Sequence, residues 1–399
     1  MKKRKIIQIN CVYPSGSTGR LVDEIHRDLL RRGIDARVIY GRGPGRKGPG
    51  ILRLCPEVYG KVNALLARIR GIPCGGCLLS TWRLIGILKR EAPDVVHLHC
   101  INGNFVNLPH QISWLKKHRI PTVLTLHAEF WYTGGCGHAL DCGGWRTGCG
   151  HCPRLRQETG SLFFDGTSVS YRRMKTAFRG FEQDLTVVSV SDWLRRRAEG
   201  SPILKDMSHE TIQNGVDLRV FFYRPGRKAA GGRVIFHATP LFSDDPVHLK
   251  GGWYVLELAR RIPDAAFLVA GKSNVRGEVP PNVTLLGEIR DPAKLAEHYS
   301  GADLTLLTSK RETFSMVCAE SLCCGTPVVG FRAGAPEEIC LPAYSAFVPP
   351  GDLDALEAQV RCWLERSWDK ASVSRAAAQR YCTEKMLDAY WELYRRAFP

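Results

Sequence analysis

The sequence predicts an α/β protein in which 399 residues build two doubly wound parallel-sheet domains. Three observations carry the prediction. Short, continuous apolar runs alternate with longer segments whose apolar residues recur at helical spacing, as in sheets buried on both faces. A polar, glycine-rich stretch at 225–232 interrupts this alternation, which starts afresh at Arg233. Several apolar runs end in His, Lys or Gly, at the carboxyl edge where open α/β sheets gather ligands. The expected domains are 1–224 and 233–399, joined by a linker at 225–232.

In chain order, Lys5 to Asn10 reads as the first strand and Leu21 to Arg32 as a helix. Between them, Gly16-Ser17-Thr18-Gly19 is either a site where backbone amides approach a phosphate or sugar, or a plain tight turn. A strand at Ala36–Tyr40 is followed by helical patterns at Glu57–Arg70 and Ser80–Arg90. The first of these sets Val58, Val62, Leu65, Leu66 and Ile69 beside Lys61, Arg68 and Arg70. Such a helix either lies on a bilayer surface or is an ordinary half-buried helix.

Asp94–His99 and Thr122–His127 read as two more parallel strands, each closing on a histidine; His127 is read as functional and His99 as structural. An insertion at 136–153 holds Cys136, Cys142, Cys149 and Cys152, the last two spaced Cys-x2-Cys. It is a candidate structural zinc site, with paired disulfides or free thiols as the alternatives. Leu185–Val190 is a further strand, and Ser191 caps the helix after it. His209–Gln213 is the last strand before Asn214-Gly215-Val216-Asp217.

In the second domain Lys250-Gly251-Gly252 opens a helix, and the strand Ala265–Ala270 runs into Gly271-Lys272. Each lysine either attracts a diphosphate or is an ordinary solvated side chain. Leu285–Arg290 turns from strand to loop, where Ile289 can cover a nucleobase. Strands at Leu304–Leu307 and Pro327–Phe331 enclose one short helix, expected from near Phe314 to a stop at Gly325. Its N-terminus is a ready anion site, because the first amides lack intrahelical partners. Glu312 precedes it and Glu320 lies within it. Eight helical residues rise about 12 Å and return to nearly the same face, a spacing that can grip both ends of an elongated anionic ligand. By spacing alone they are a dipole partner and a surface acid. Leu353–Phe398 reads as terminal helices.

The formal charge of +17 and pI near 9.4 call for an anionic partner. Basic clusters at 42–47, 61–70, 172–175 and 195–197 favour an anionic membrane surface, and no nucleic-acid motif accompanies them. No apolar run approaches the roughly 18 residues of a membrane span. Met1-Lys2-Lys3-Arg4-Lys5 lacks the apolar core of a signal peptide, so the expected location is cytoplasmic, peripheral at the inner face of the membrane. Fifteen scattered cysteines argue against a disulfide framework.

Taken together, Gly16–Gly19, 94–107, 125–153, 188–194, 214–217 and Glu312-x7-Glu320 followed by Gly-Thr-Pro-Val-Val-Gly at 325–330 resemble the family 4 GT-B glycosyltransferases, especially the branch that builds capsular and colanic-acid-type polysaccharides. The resemblance implies two Rossmann-like domains facing a cleft, with the C-terminal helices packing back toward the N-terminal domain. It implies transfer of a sugar from a nucleotide-sugar donor to a lipid-linked saccharide acceptor, with retention and without a catalytic metal or other required cofactor. The amides of Phe314, Ser315 and Met316 would hold phosphates, Glu320 the ribose, and Glu312 the donor sugar. Lys250, supported by Lys272, would neutralise the departing diphosphate, His127 would touch the sugar, and Gly16–Gly19 would complete the acceptor side. Two departures stand out. Asp244-Asp245-Pro246 occupies the place of an arginine common in the family, and Ala128-Glu129 follows His127 where an aspartate is usual. The substituted acids suggest an alternative, a catalytically degenerate scaffold that binds a nucleotide sugar without transferring it.

Overall fold

The computed structural model describes residues 3–398 apart from positions 44, 47, 74 and 227–231. The middle of the expected linker and Lys47 of the first basic cluster therefore lie outside the described residues. The chain forms two compact units, Met1–Ile212 together with Leu387–Pro399, and Gln213–Met386.

The first unit is built on strands β1 (Lys5–Asn10), β2 (Asp35–Tyr40), β3 (Ile51–Arg53), β4 (Val95–Leu98), β5 (Thr122–Leu126), β6 (Leu185–Ser189) and β7 (Ser208–Thr211). They form one parallel sheet in the order β3-β2-β1-β4-β5-β6-β7. Ile6, Ile7, Ile9, Val95, Val96 and Leu98 are wholly buried, which is why these strands read as continuous apolar runs. The three-residue edge strand β3 leaves too short a pattern to be seen in sequence. Strand order reverses between β1 and β4, the switch point where the loops at the carboxyl ends part and leave a crevice.

The second unit holds β8 (Arg233–Phe242), β9 (Ala265–Ser273), β10 (Val283–Gly287), β11 (Leu304–Leu307), β12 (Val328–Phe331) and β13 (Ser345–Val348). These too are all parallel, in the order β10-β9-β8-β11-β12-β13, reversing between β8 and β11. Its core joins Ile235, Phe267, Leu304, Leu306 and Val329 from the sheet to Val255, Leu256, Leu356 and Val360 from the covering helices.

The division between units falls after Ile212, earlier than the expected linker. Residues 213–224 are tied to the C-terminal helices: the Val216 amide donates to the Tyr381 carbonyl at 2.7 Å, Val216 forms a parallel bridge with Cys382, and the Tyr223 amide donates to Ser374 Oγ at 3.3 Å. Backbone pairing thus joins 213–224 to the C-terminal segment of the second unit. The last helix, Thr383–Ala397, brings the chain back. Tyr390 and Tyr394 on it are buried in the first unit, with Tyr394 Oη 2.5 Å from His97 Nδ1 and Tyr390 Oη 3.1 Å from Thr125 Oγ1.

Candidate functional site

In the second unit the loops after β8 and β11 are stapled together. Thr308 Oγ1 donates to the Lys250 carbonyl at 3.1 Å and the Lys310 amide donates to the Leu249 carbonyl at 2.9 Å. Gly251 takes φ 64°, and a Cβ there would lie 2.2 Å from the Thr308 carbonyl oxygen, so only glycine permits this approach. The junction delivers Lys250 Nζ to Glu312 Oε1 at 2.6 Å. Glu312 is itself pinned by backbone: its amide donates to the Ala333 carbonyl at 2.9 Å, and its carbonyl accepts from the Ala335 amide at 3.2 Å. The half-buried Glu337 supports that strip by accepting from the amides of Ala333 and Gly334. Sequence reasoning missed Glu337, whose only signal is an acid two residues after Ala335.

The short helix runs Met316–Cys323, two residues shorter at its start than expected. Ser315 sits before it in a left-handed conformation, φ 80° and ψ 87°, which costs a non-glycine residue about 1–3 kcal/mol. Its hydroxyl donates to Cys318 Sγ at 3.2 Å, and its side chain makes no capping bond to the first-turn amides. Those N–H groups keep the anion-binding character of a helix start. Glu312 lies in the loop before the helix and Glu320 within it, so a helical rise over eight residues does not describe the separation of the two carboxylates. Tyr299 Oη, fully buried, donates to Glu320 Oε2 at 3.4 Å and orients that carboxylate.

Phe314 is buried against the edge of Tyr381, and Met316 is half-buried. Ile289 is a half-buried residue just beyond β10. Lys272 is drawn into a 3.7 Å ion pair with Glu288, which also binds Arg290. Asp244 resolves one departure: its Oδ2 accepts from the amides of Arg276 and Gly277 at 2.9 and 2.8 Å, and these bonds hold its carboxyl below the ordinary range. Asp245 accepts from the Val247 amide at 2.9 Å. Both acids serve loop geometry, which removes the ground for a degenerate scaffold.

In the first unit three histidines form a row at the β1–β4 switch. His97 contacts Tyr394 and, through Nε2 at 2.7 Å, Thr125 Oγ1; its ring lies 3.8 Å from that of His99. His99 Nε2 lies 3.2 Å from Gln8 Oε1, and His99 Nδ1 lies 3.4 Å from His127 Nε2. The protons along this row follow from its end. The Gln8 amide nitrogen donates to the Val22 carbonyl at 3.4 Å, so Oε1 faces His99 and must accept. His99 then carries its proton on Nε2, accepts on Nδ1 from His127 Nε2–H, and leaves His127 Nδ1 as an acceptor nitrogen. Burial keeps these imidazoles neutral, pushing His127 down to about 4 and His97 and His99 well below 6.5.

The Gly16–Gly19 segment is the first turn of the helix Gly16–Arg31, so the strand-to-helix loop is the shorter stretch before it. Glu129 does not stand in for a second donor contact beside His127. It is wholly buried, its Oε1 bound by Arg197 Nε at 2.6 Å and Nη2 at 2.5 Å, its Oε2 by the Ala139 amide at 2.8 Å. The Arg197 guanidinium packs over Trp145 and Trp193 at 4.6 and 5.0 Å. This assembly anchors the cysteine insertion. The expected zinc site is not formed: among the described residues no three His, Cys, Asp or Glu side chains converge to hold a metal ion, and Cys136, Cys142, Cys149 and Cys152 are free thiols. Cys149 Sγ accepts from the Gly134 amide at 3.1 Å and Cys142 Sγ from the Gly144 amide at 3.4 Å, so each sulfur is satisfied locally. Burial raises Cys136 to about 12 and Cys149 to about 11, favouring thiol over thiolate.

The chain is similar to known proteins in sequence and in fold. Residues 18–220 match the family described as Glycosyltransferase Family 4, and residues 249–366 match Glycosyl transferases group 1. A colanic acid biosynthesis glycosyl transferase, WcaC, of Escherichia coli K12 is 27% identical over 162 residues, covering 38% of this chain and 40% of that relative. The chain thus spans well under half of that relative's length. D-inositol 3-phosphate glycosyltransferase of Mycobacterium bovis is 27% identical over 92% of this chain and 76% of its own length. Among solved structures, Anabaena HepE in complex with UDP-glucose superposes with a TM-score of 0.63 at 15% identity, covering 98% of this chain and 99% of that one.

Two outcomes follow. Glu129→Ala strands the buried Arg197 charge and should lower unfolding stability by about 3–5 kcal/mol, read by chemical denaturation; a change within about 0.5 kcal/mol would contradict the anchoring role. The histidines bind protons below about 6.5 only when unfolded, so stability is full above that pH and is lost as pH falls toward 4. Melting temperature should therefore drop steadily across that window, and a flat profile would contradict the buried neutral row.

Proposed function

The chain belongs to glycosyltransferase family 4, and from that premise we propose that it is a retaining, metal-independent enzyme moving a sugar from a nucleotide-sugar donor to a lipid-linked saccharide in surface-polysaccharide assembly. The observation that carries the reading is the Lys250–Glu312 pair set four residues before a helix start whose N-cap Ser315 makes no side-chain capping bond. An elongated donor has a use for each part. The amides of Phe314, Ser315 and Met316 take the phosphates, and Lys250 balances charge that builds on the diphosphate as the glycosidic bond breaks. Glu312 accepts from sugar hydroxyls and offsets positive charge developing at the anomeric carbon. Glu320, oriented by Tyr299, accepts from both ribose hydroxyls. Ile289 covers the base, and Lys272 stays within reach of the donor phosphates from the β9 end.

In the first unit, His127 offers Nδ1 as a neutral acceptor to a hydroxyl of the transferred sugar, and the Gly16–Gly19 turn, with Ser17 and Thr18, borders the acceptor. The complex of HepE with UDP-glucose supports a nucleotide-sugar donor, and the likeness to WcaC supports a polysaccharide pathway. A lipid-linked acceptor fits a basic, membrane-peripheral protein on the cytoplasmic side. No helix among the described residues is long and apolar enough to cross a membrane.

Glu312→Ala should reduce transfer at least about a thousandfold, the scale of losing a transition-state electrostatic contact, while leaving nucleotide binding within a few fold. Glu320→Ala should instead weaken nucleotide binding by about tenfold or more. Donor-consumption assays beside thermal-shift titration with nucleotide sugars check both, and turnover near wild type in Glu312→Ala would reject this assignment.

A further inference from the structure

The helix Glu57–Arg70 is folded inside out relative to an ordinary surface helix. Its apolar stripe, Val58, Val62, Leu65 and Leu66 at i, i+4, i+7 and i+8, faces solvent, with Val58 70% and Leu65 53% exposed. The side turned inward centres on Gly60, the buried residue of the helix, with Ala64 and Ala67 half-buried beside it; Tyr59, Asn63 and Ile69 are half-buried as well. By helical spacing Lys61 and Arg68 flank one edge of the stripe and Arg70 the other.

Two further apolar segments join it. The 160–164 loop is bonded to the end of the helix, the Leu162 amide donating to the Arg68 carbonyl at 2.8 Å and Arg68 Nε to the Gly160 carbonyl at 3.0 Å. Gly71, at φ 65°, has no room for a Cβ against the Phe164 carbonyl. This loop displays Phe163, 71% exposed, and Phe164. On the other flank the Cys77 amide donates to Asn63 Oδ1 at 2.9 Å, seating the start of helix Leu78–Glu91, which exposes Leu79 and Trp82, the latter 57%. Arg83, Arg172 and Arg173 are exposed on the neighbouring helices, and Glu57 is the one acid in the first of them.

We propose that this surface is the face by which the protein docks onto an anionic bilayer, the apolar side chains entering the acyl boundary and the basic rim meeting lipid headgroups. It rests on the reading above, in which the acceptor is lipid-linked, and gives that reading a specific contact surface. Exposed apolar surface of this extent marks an interaction site, and its chemistry selects the occupant. Aromatic and aliphatic tips inside a ring of Lys and Arg match the boundary between acyl chains and anionic headgroups. A second copy of the chain matches poorly, because a two-fold contact sets the same patch on itself and would bring Lys61, Arg68 and Arg70 against their own kind.

The test is co-sedimentation of the full-length protein with phosphatidylglycerol-rich and with pure phosphatidylcholine vesicles. Binding to the anionic vesicles is expected to be at least about tenfold tighter, since each basic residue near such a surface contributes on the order of fivefold. Val62→Ser/Leu65→Ser and Phe163→Ser/Phe164→Ser should each weaken it about tenfold or more, with melting temperature and nucleotide-induced thermal shift kept at wild-type values. Absence of binding to anionic vesicles, or binding unchanged in both double variants, overturns the proposal. So does a wild-type dimer in light scattering that the same variants dissolve, which would make a second copy the occupant. Because vesicle binding needs no turnover, its loss leaves the transferase reading standing, and failure of transfer by a vesicle-binding protein removes that reading and leaves the surface.

Discussion

The ion pair between Lys250 and Glu312 organises the chemistry of the second unit. It exists because two loops from adjacent strands are drawn together at Gly251, where a carbonyl occupies the space any other residue's Cβ would need. Two opposite charges 2.6 Å apart on separate loops fix the distance between the side chain proposed to neutralise a leaving diphosphate and the one proposed to face a sugar. Everything around them limits drift: the backbone bonds from Ala333 and Ala335 to Glu312, the carboxylate of Glu337 under that strip, and the strained turn at Ser315 that ends in open amides. Strain at Ser315 is a conformational cost borne by a packed surround, with Phe314 and Cys318 both buried.

The first unit uses neutral groups where the second uses charges. A row of histidines, read from Gln8 outward, sets which nitrogen of His127 carries a proton, and buried tyrosines from the returning C-terminal helix close the far end of the row. That helix begins in the second unit and ends in the first, so the sequence segment that completes the histidine environment lies nearly 300 residues from it.

Much of this was legible in sequence, and the failures have causes. Continuous apolar runs identified the long parallel strands because burial on both faces removes polar alternation, and Gly325 marked its helix end correctly. The helix start was placed too early because nothing in Phe314-Ser315 announces a left-handed serine. Pro225 to Gly232 suggested a domain boundary, yet backbone pairing of Val216 with the C-terminal segment decides it. Glu129 and Asp244 are acids near expected ligands, and only the fold shows that Arg197 and the amides of Arg276 and Gly277 have claimed them. The cysteine spacing suggested metal, but among the described residues no three ligating side chains converge there, and burial favours the thiol at Cys136 and Cys149. The helix Glu57–Arg70 shows the same limit from the other side: periodicity located its apolar stripe, and the small residues Gly60, Ala64 and Ala67 decided which face turned inward.

The reaction proposed above depends on Lys250 meeting the diphosphate of a nucleotide donor. Titration calorimetry of a nucleoside diphosphate against wild type and Lys250→Met tests it most directly, with the corresponding nucleoside as a control. Lys250→Met should weaken diphosphate binding by about tenfold or more, the scale of a charge-assisted contact, and leave binding of the nucleoside nearly unchanged. Equal diphosphate affinity in the two proteins would contradict it.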